Sequence, residues 1–236
     1  MINIRNLRFS WSDQDTSLFN FHSLSVIQGE HLFLSGPSGS GKSTLLNLIG
    51  GVIVPQKGEV EILGTVINKL KDAERDSFRA DHIGYIFQQF NLVPYLSVVD
   101  NITLPCRFSG RRYRAAMHQS KSIREEAVRL LERLGMDINA MNKPVTELST
   151  GQQQRVAAAR ALIGKPEIVI ADEPTSALDA HTQEAFLNLL FYEARSWNTT
   201  IVFVSHDQRL AKLFDRTEEI GNLNGKRDLI LEKDIV

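Results

Sequence analysis

Cys106 is the single cysteine in 236 residues, so no internal disulfide can brace the fold, and the chain reads as one kept reduced inside a cell. No apolar run approaches the roughly 18–20 residues that cross a bilayer; any membrane role is expected through a partner. Met1 to Trp11 are alternating and polar, unlike the apolar core of a signal peptide. An excess of one charge is also missing. Lys and Arg total 27 against 28 Asp and Glu, a formal net charge of -1, and without a basic field nucleic acid is not expected as a partner. Repeats, low-complexity tracts and flexible linkers are absent too, and the length allows one large domain or two small ones. The rest is ordinary globular composition, 42% hydrophobic and 23% charged, long enough for a sizeable core.

The hydrophobic pattern changes character along the chain. Ile2 to Phe9 alternates with period two and predicts a half-exposed strand. Leu24 to Ile27 and then His31-Leu32-Phe33-Leu34 follow, separated by a Gln28-Gly29-Glu30 turn, and Gly58 to Gly64 alternates again. From Asp100 to Ala161 the period becomes helical, with Ile123, Ala127, Leu130, Leu131 and Leu134 on one stripe. Beyond Pro166 short apolar runs return, Ile168 to Ala171 and Ile201 to Val204, each followed by a helical stretch. Short apolar runs alternating with helices indicate an α/β fold with buried parallel strands, and the helical middle reads as an insertion into it.

The sharpest local signal is Gly36-Pro37-Ser38-Gly39-Ser40-Gly41-Lys42-Ser43-Thr44, a match to GxxxxGK followed by Ser or Thr. Glycines let backbone N–H groups turn onto phosphate oxygens with no Cβ in the way. A helix starting near Lys42 adds its positive end. Lys42 can reach the β- and γ-phosphates, and the Ser43 hydroxyl can ligate Mg²⁺. By itself this loop indicates a nucleotide binder, kinases and GTPases included.

A buried strand, Ile168 to Ala171, ends in Asp172 and Glu173. Beside a phosphate loop, the first acid suits Mg²⁺ held through water and the second suits a general base polarising the attacking water. Two further strands run into Gln88 and into His206. Ligands of open α/β sheets bind beyond the carboxyl ends of the strands, so a phosphate loop, two carboxylates, an amide and an imidazole are expected at one edge.

Taken together, these residues resemble the ABC ATPase family over essentially the whole chain. Leu148-Ser149-Thr150-Gly151-Gln152-Gln153-Gln154-Arg155 is similar to its LSGGQ signature with the following QQR, with Thr150 where glycine is usual. Asp172 to Asp179 resembles its Walker B motif and D-loop. The resemblance implies a single domain over 1–236: a P-loop NTPase core with a mainly parallel sheet (1–88 and 164–236), an N-terminal antiparallel β subdomain, and an inserted helical subdomain carrying the signature (about 89–163). It implies ATP hydrolysis with Mg²⁺ at Ser43, Gln88 and Asp172, catalysis by Glu173 with Lys42, Gln88 and His206, and adenine stacked on Trp11, with Phe9 and Phe19 as rivals. It also implies a head-to-tail homodimer in which Ser149, Thr150, Gly151 and Gln152 meet the γ-phosphate on the other subunit's loop, and Asp179 links the sites. Ser149 stands where an N-cap would precede a helix beginning around Gly151.

Phe87 to Val98, with Asp100-Asn101-Ile102-Thr103-Leu104-Pro105, looks like the lipoprotein-release and macrolide-export ATPases, although polar amino-acid importers share much of it. That likeness implies an integral membrane permease with a large periplasmic domain, a periplasmic adaptor, and a cytoplasmic position on the inner face of the membrane. A non-transporting regulatory ATPase of the cell-division type, or an importer ATPase, is the alternative reading. The little chain after the helix following His206 argues against an appended regulatory domain. Arg107, Arg111, Arg112, Arg114, Lys121 and Arg124 form a basic stretch, read first as a solvated face and otherwise as a contact for anionic lipid or a permease loop.

Overall fold

A computed structural model describes residues 1–12 and 18–225. In chain order the strands and helices begin with β1 (Ile2–Phe9), β2 (Phe19–Val26), β3 (His31–Ser35), α1 (Lys42–Ile49), β4 (Lys57–Ile62), β5 (Thr65–Val66), α2 (Asp72–His82) and β6 (Ile83–Ile86). Next come α3 (Val98–Thr103), α4 (Pro105–Phe108), α5 (Gly110–Gln119), α6 (Ile123–Arg133), α7 (Thr150–Leu162), β7 (Ile168–Asp172), α8 (Ala180–Ser196), β8 (Thr200–Val204), β9 (Arg216–Glu219) and α9 (Ile220–Gly225). The chain divides into two compact units, Met1–Asp76 with Val202–Val236, and Ser77–Ile201.

The first unit holds an antiparallel sheet of order β2-β1-β4-β5. Ile4 pairs with Leu24 on one side and Val60 on the other, and all three are buried. The alternation expected for β1 breaks once. Asn6 has φ 50, and the β4 register shifts between Arg5 and Arg8. This bulge moves the buried phase from Ile2 and Ile4 to Leu7 and Phe9, three residues on instead of two. A Cβ on Gly58 would sit 2.5 Å from the carbonyl oxygens of Arg5 and Asn6, so the strand beside the bulge needs glycine there. The parallel strands of this unit are different: β3 is buried at every position and pairs in parallel with β9, Leu32 opposite Arg216. Phe33, Phe203 and Phe214 pack ring to ring, with centroids 5.0–6.1 Å apart.

The second unit joins the parallel pair β6 and β7, in register Ile86 to Ala171, to the helices. α7 packs closely on β6, where a Cβ on Gly84 would collide with the Ala161 carbonyl. The apolar stripe of α6 is present, with Ala127, Leu130 and Leu131 buried and Leu134 just beyond. Glu126 shares that face. Arg129 neutralises it at 2.8 Å and reaches Glu193 of α8 at 2.6 Å, both carboxylates being almost fully buried. The basic stretch is not one solvated face. Arg112 is 3% exposed and donates to the carbonyls of Ala161 (2.6 Å), Ile163 (2.8 Å) and Arg160 (3.3 Å), capping the negative end of α7. Burial pushes its pKa down to about 10, so it stays charged at neutral pH. Among the described residues no helix is long and apolar enough to cross a membrane.

Candidate functional site

In the first unit, buried β3 delivers the chain into the glycine loop and α1. Gly39 and Gly41 have φ 79 and 92, which L side chains resist. Gly41 is the N-cap of α1, without a capping side chain, and the helix's first turn holds no acid. Its positive end is therefore left for an anion. Lys42, 8% exposed, donates from Nζ to the carbonyls of Gly36 and Pro37, 2.9 Å each, which folds the loop around its own cation. Ser40 Oγ is buried with no hydrogen-bond partner among the described residues, and Ser43 is exposed. The Ser205 N–H donates to the Leu34 carbonyl at 3.3 Å, so His206 leaves the strand next to the one that feeds the loop. His206 itself is exposed. Of the aromatic candidates, Phe9 and Phe19 are core residues, whereas Trp11 is 65% exposed and packs edge-on against Phe9 with centroids 5.2 Å apart.

In the second unit the parallel register of β6 and β7 ends both strands on the same side, where Gln88 and the pair Asp172 and Glu173 follow them. Ile86 faces Ala171, so both strands discharge their polar residues at one edge. Glu173 has φ 43. A non-glycine residue held in the left-handed region costs about 1–3 kcal/mol and persists where its surroundings over-determine it. Such strain is common at functional sites, and nothing in the local sequence announces it. Asp179 caps α8. Its carboxylate accepts from the Thr182 N–H (3.0 Å) and hydroxyl (2.6 Å), and those hydrogen bonds hold its pKa below the usual range.

Ser149 is the N-cap of α7, which starts one residue earlier than the pattern suggested, at Thr150. Ser149 Oγ accepts from the Gln152 N–H at 3.4 Å while Gln152 Oε1 accepts from the Ser149 N–H at 2.9 Å, a reciprocal capping box. The Ser-x-x-Gln spacing was there to be read and shows that Gln152 is spoken for by its own helix. The signature lies at the end of α7 opposite the one packed on β6, about 18 Å along the helix at 1.5 Å per residue.

Comparison with known proteins identifies this arrangement. The family model described as ABC transporter matches residues 19–176. The chain belongs to the ABC transporter ATP-binding family. An ABC transporter ATP-binding protein of Methanocaldococcus jannaschii, MJ0796, is 39% identical over 92% of this chain and 91% of its own. The lipoprotein-releasing system ATP-binding protein LolD of Bacteroides fragilis is 40% identical over 82% and 86%. A dimeric structure of MJ0796 in a post-hydrolysis state, bound to ADP and Pi, superposes with a TM-score of 0.81, covering 93% of this chain and 94% of that one. The chain is thus an ABC transporter ATPase subunit that binds and hydrolyses ATP, on a P-loop NTPase fold.

Proposed function

We propose that this ABC ATPase works as a head-to-tail homodimer that closes on two ATP molecules and drives an integral membrane permease of the lipoprotein-release or macrolide-export type. The similarity to LolD over most of both chains is the observation that carries the permease type. The division read from the sequence, 1–88 with 164–236 as nucleotide core and about 89–163 as helical insertion, belongs to this proposal; the compact units of the structure divide elsewhere, at Met1–Asp76 with Val202–Val236 and at Ser77–Ile201. A cytoplasmic position on the inner face of the membrane, held there by the permease, follows from the same reading, as do a large periplasmic permease domain and an adaptor.

At the nucleotide, Gly36 to Thr44 cradle the phosphates through backbone N–H groups and the end of α1, Lys42 meets the β- and γ-phosphates, and Trp11 stacks on adenine. Glu173 is the general base, with His206 and Gln88 orienting the γ-phosphate and water. The oxygen donors Ser43, Gln88 and Asp172 fit Mg²⁺, a hard cation bound by few protein ligands together with phosphates and water. When bound, the cation neutralises charge on the β- and γ-phosphates. The capped N-terminus of α7, far along the helix from β6, supports reading Ser149 to Gln152 as a clamp on the partner subunit's γ-phosphate. Asp179, the N-cap of α8, then joins the two sites.

Glu173→Gln keeps the shape and removes the base. ATP should still bind and hold a dimer in light scattering, while turnover falls about 10²- to 10⁴-fold. Near-normal hydrolysis would sink the assignment of the base. Lys42→Ala should instead weaken ATP binding itself. Affinity purification from membranes tests the permease, and recovery of the chain without any integral membrane protein counts against it.

A further inference from the structure

Directly after Gln88 the backbone does something costly. Phe90 and Asn91 sit in succession at φ 59 and 48, a conformation that a bulky aromatic residue rarely adopts. Local turn bonds account for part of it, from the Phe90 N–H to the Phe87 carbonyl (3.0 Å) and from the Asn91 N–H to the Gln89 carbonyl (2.6 Å). The carbonyls that this turn throws outward are gripped by one side chain. Arg160 donates from Nη2 to the Phe90 carbonyl at 2.5 Å and from Nη1 to the Asn91 carbonyl at 2.6 Å. A planar guanidinium presents two such donors at fixed spacing, which an ammonium cannot.

Arg160 is itself held. It belongs to the last turn of α7, whose end is capped by buried Arg112 and seated on β6 at Gly84. The same rigid helix begins at the Ser149 capping box. One helix therefore carries the signature at its start and, three turns later, a fork that fixes the backbone leading away from Gln88.

We propose that Arg160 is a positioning residue for Gln88, and that through it any shift of the signature helix re-aims the Gln88 loop. The proposal rests on the reading of Gln88 as part of the ATP site. Arg160 touches no nucleotide in this scheme; it stabilises the left-handed pair at 90–91 and so sets where the Gln88 side chain points.

The test compares kcat and ATP affinity across a small set of variants. Arg160→Gln should lower kcat about 10- to 100-fold, the scale of a misplaced catalytic group, with ATP affinity within about twofold of wild type. Arg160→Lys should fall between the two. Glycine takes positive φ without help, so adding Asn91→Gly to Arg160→Gln should restore most of the lost kcat. The Asn91 side chain is exposed, so Asn91→Val disturbs only the backbone preference; it should reproduce the loss with Arg160 still in place. If Arg160→Gln folds poorly, Asn91→Val decides alone.

Wild-type kcat in Arg160→Gln or Asn91→Val overturns the proposal. So does a loss in Arg160→Gln that Asn91→Gly fails to rescue, because that pattern belongs to a residue that merely holds the fold. Gln88→Ala separates the two levels. If it turns over normally, the assignment of Gln88 falls and the proposal with it; if it is impaired while Arg160→Gln is not, only the proposal falls.

Discussion

Gly41 carries two separate demands, and substitution by alanine should expose both. Its φ of 92 puts an L residue in the left-handed region at a cost of about 1–2 kcal/mol. The added Cβ would also lie 2.7 Å from Phe19 Cζ, 3.1 Å from Phe19 Cε1 and 3.2 Å from Leu18 Cδ2. Phe19 is fully buried and has no room to retreat, so forcing a methyl against it should cost about 1–3 kcal/mol more. Gly41→Ala should therefore destabilise by about 2–5 kcal/mol. Gly39 is the internal control: its φ of 79 makes the same backbone demand, yet nothing lies within 4 Å of its Cβ position. Gly39→Ala should lose only the backbone part, and stiffening of the unfolded chain offsets about 0.4–1 kcal/mol in both variants alike. Urea unfolding of both variants, with Phe19→Leu alone and combined with Gly41→Ala, separates the parts. The double variant should lose at least about 0.5 kcal/mol less than the sum of its singles. Equal losses at Gly39 and Gly41, with additive behaviour at Phe19, would refute the contact argument.

Two further outcomes can be checked by denaturation. Arg129→Met strands the buried carboxylates of Glu126 and Glu193 and should cost about 3–5 kcal/mol, whereas changing all three residues together to uncharged ones should recover most of it. Burial pushes Glu167 up, but the hydrogen bond from His82 at 3.0 Å and the charge of Arg111 outweigh it and leave its pKa below the ordinary value. A lowered folded pKa contributes stability above the unfolded value of about 4.3, and that contribution fades as pH falls through the folded one. The stability gap between wild type and Glu167→Gln should accordingly shrink on acidification below about pH 4.5; a gap independent of pH would contradict the ion pair.

The parts of the fold that were legible in the sequence are those whose cause is local. Three apolar runs, 32–34, 168–171 and 201–204, became the middles of the buried strands β3, β7 and β8, because a strand covered on both faces favours apolar residues at successive positions. The glycine loop was legible because positive φ selects glycine directly. The β1 bulge was only half legible. The three-residue step from Ile4 to Leu7 is present in the sequence, but a single missed beat is easily absorbed into an alternating pattern. Arg112 was read with its neighbours as one basic face, since sequence proximity says nothing of which arginine finds three orphan carbonyls 48 to 51 residues away.

The same division runs through the site. Side chains proposed to meet the ligand advertise themselves, because a glycine-rich phosphate loop or a carboxylate pair ending a buried strand has few other reasons to be there. Side chains that aim them do not. Arg160 is an ordinary helical arginine by every local measure, and its work is done on carbonyls 69 and 70 residues earlier. The strain at Glu173 and Phe90 is equally silent, since neither is a residue that favours positive φ. A motif can thus name the ATP site while leaving out the forces that hold it in shape. For the Gln88 loop those forces come from Arg160 on α7, the helix that begins at the signature.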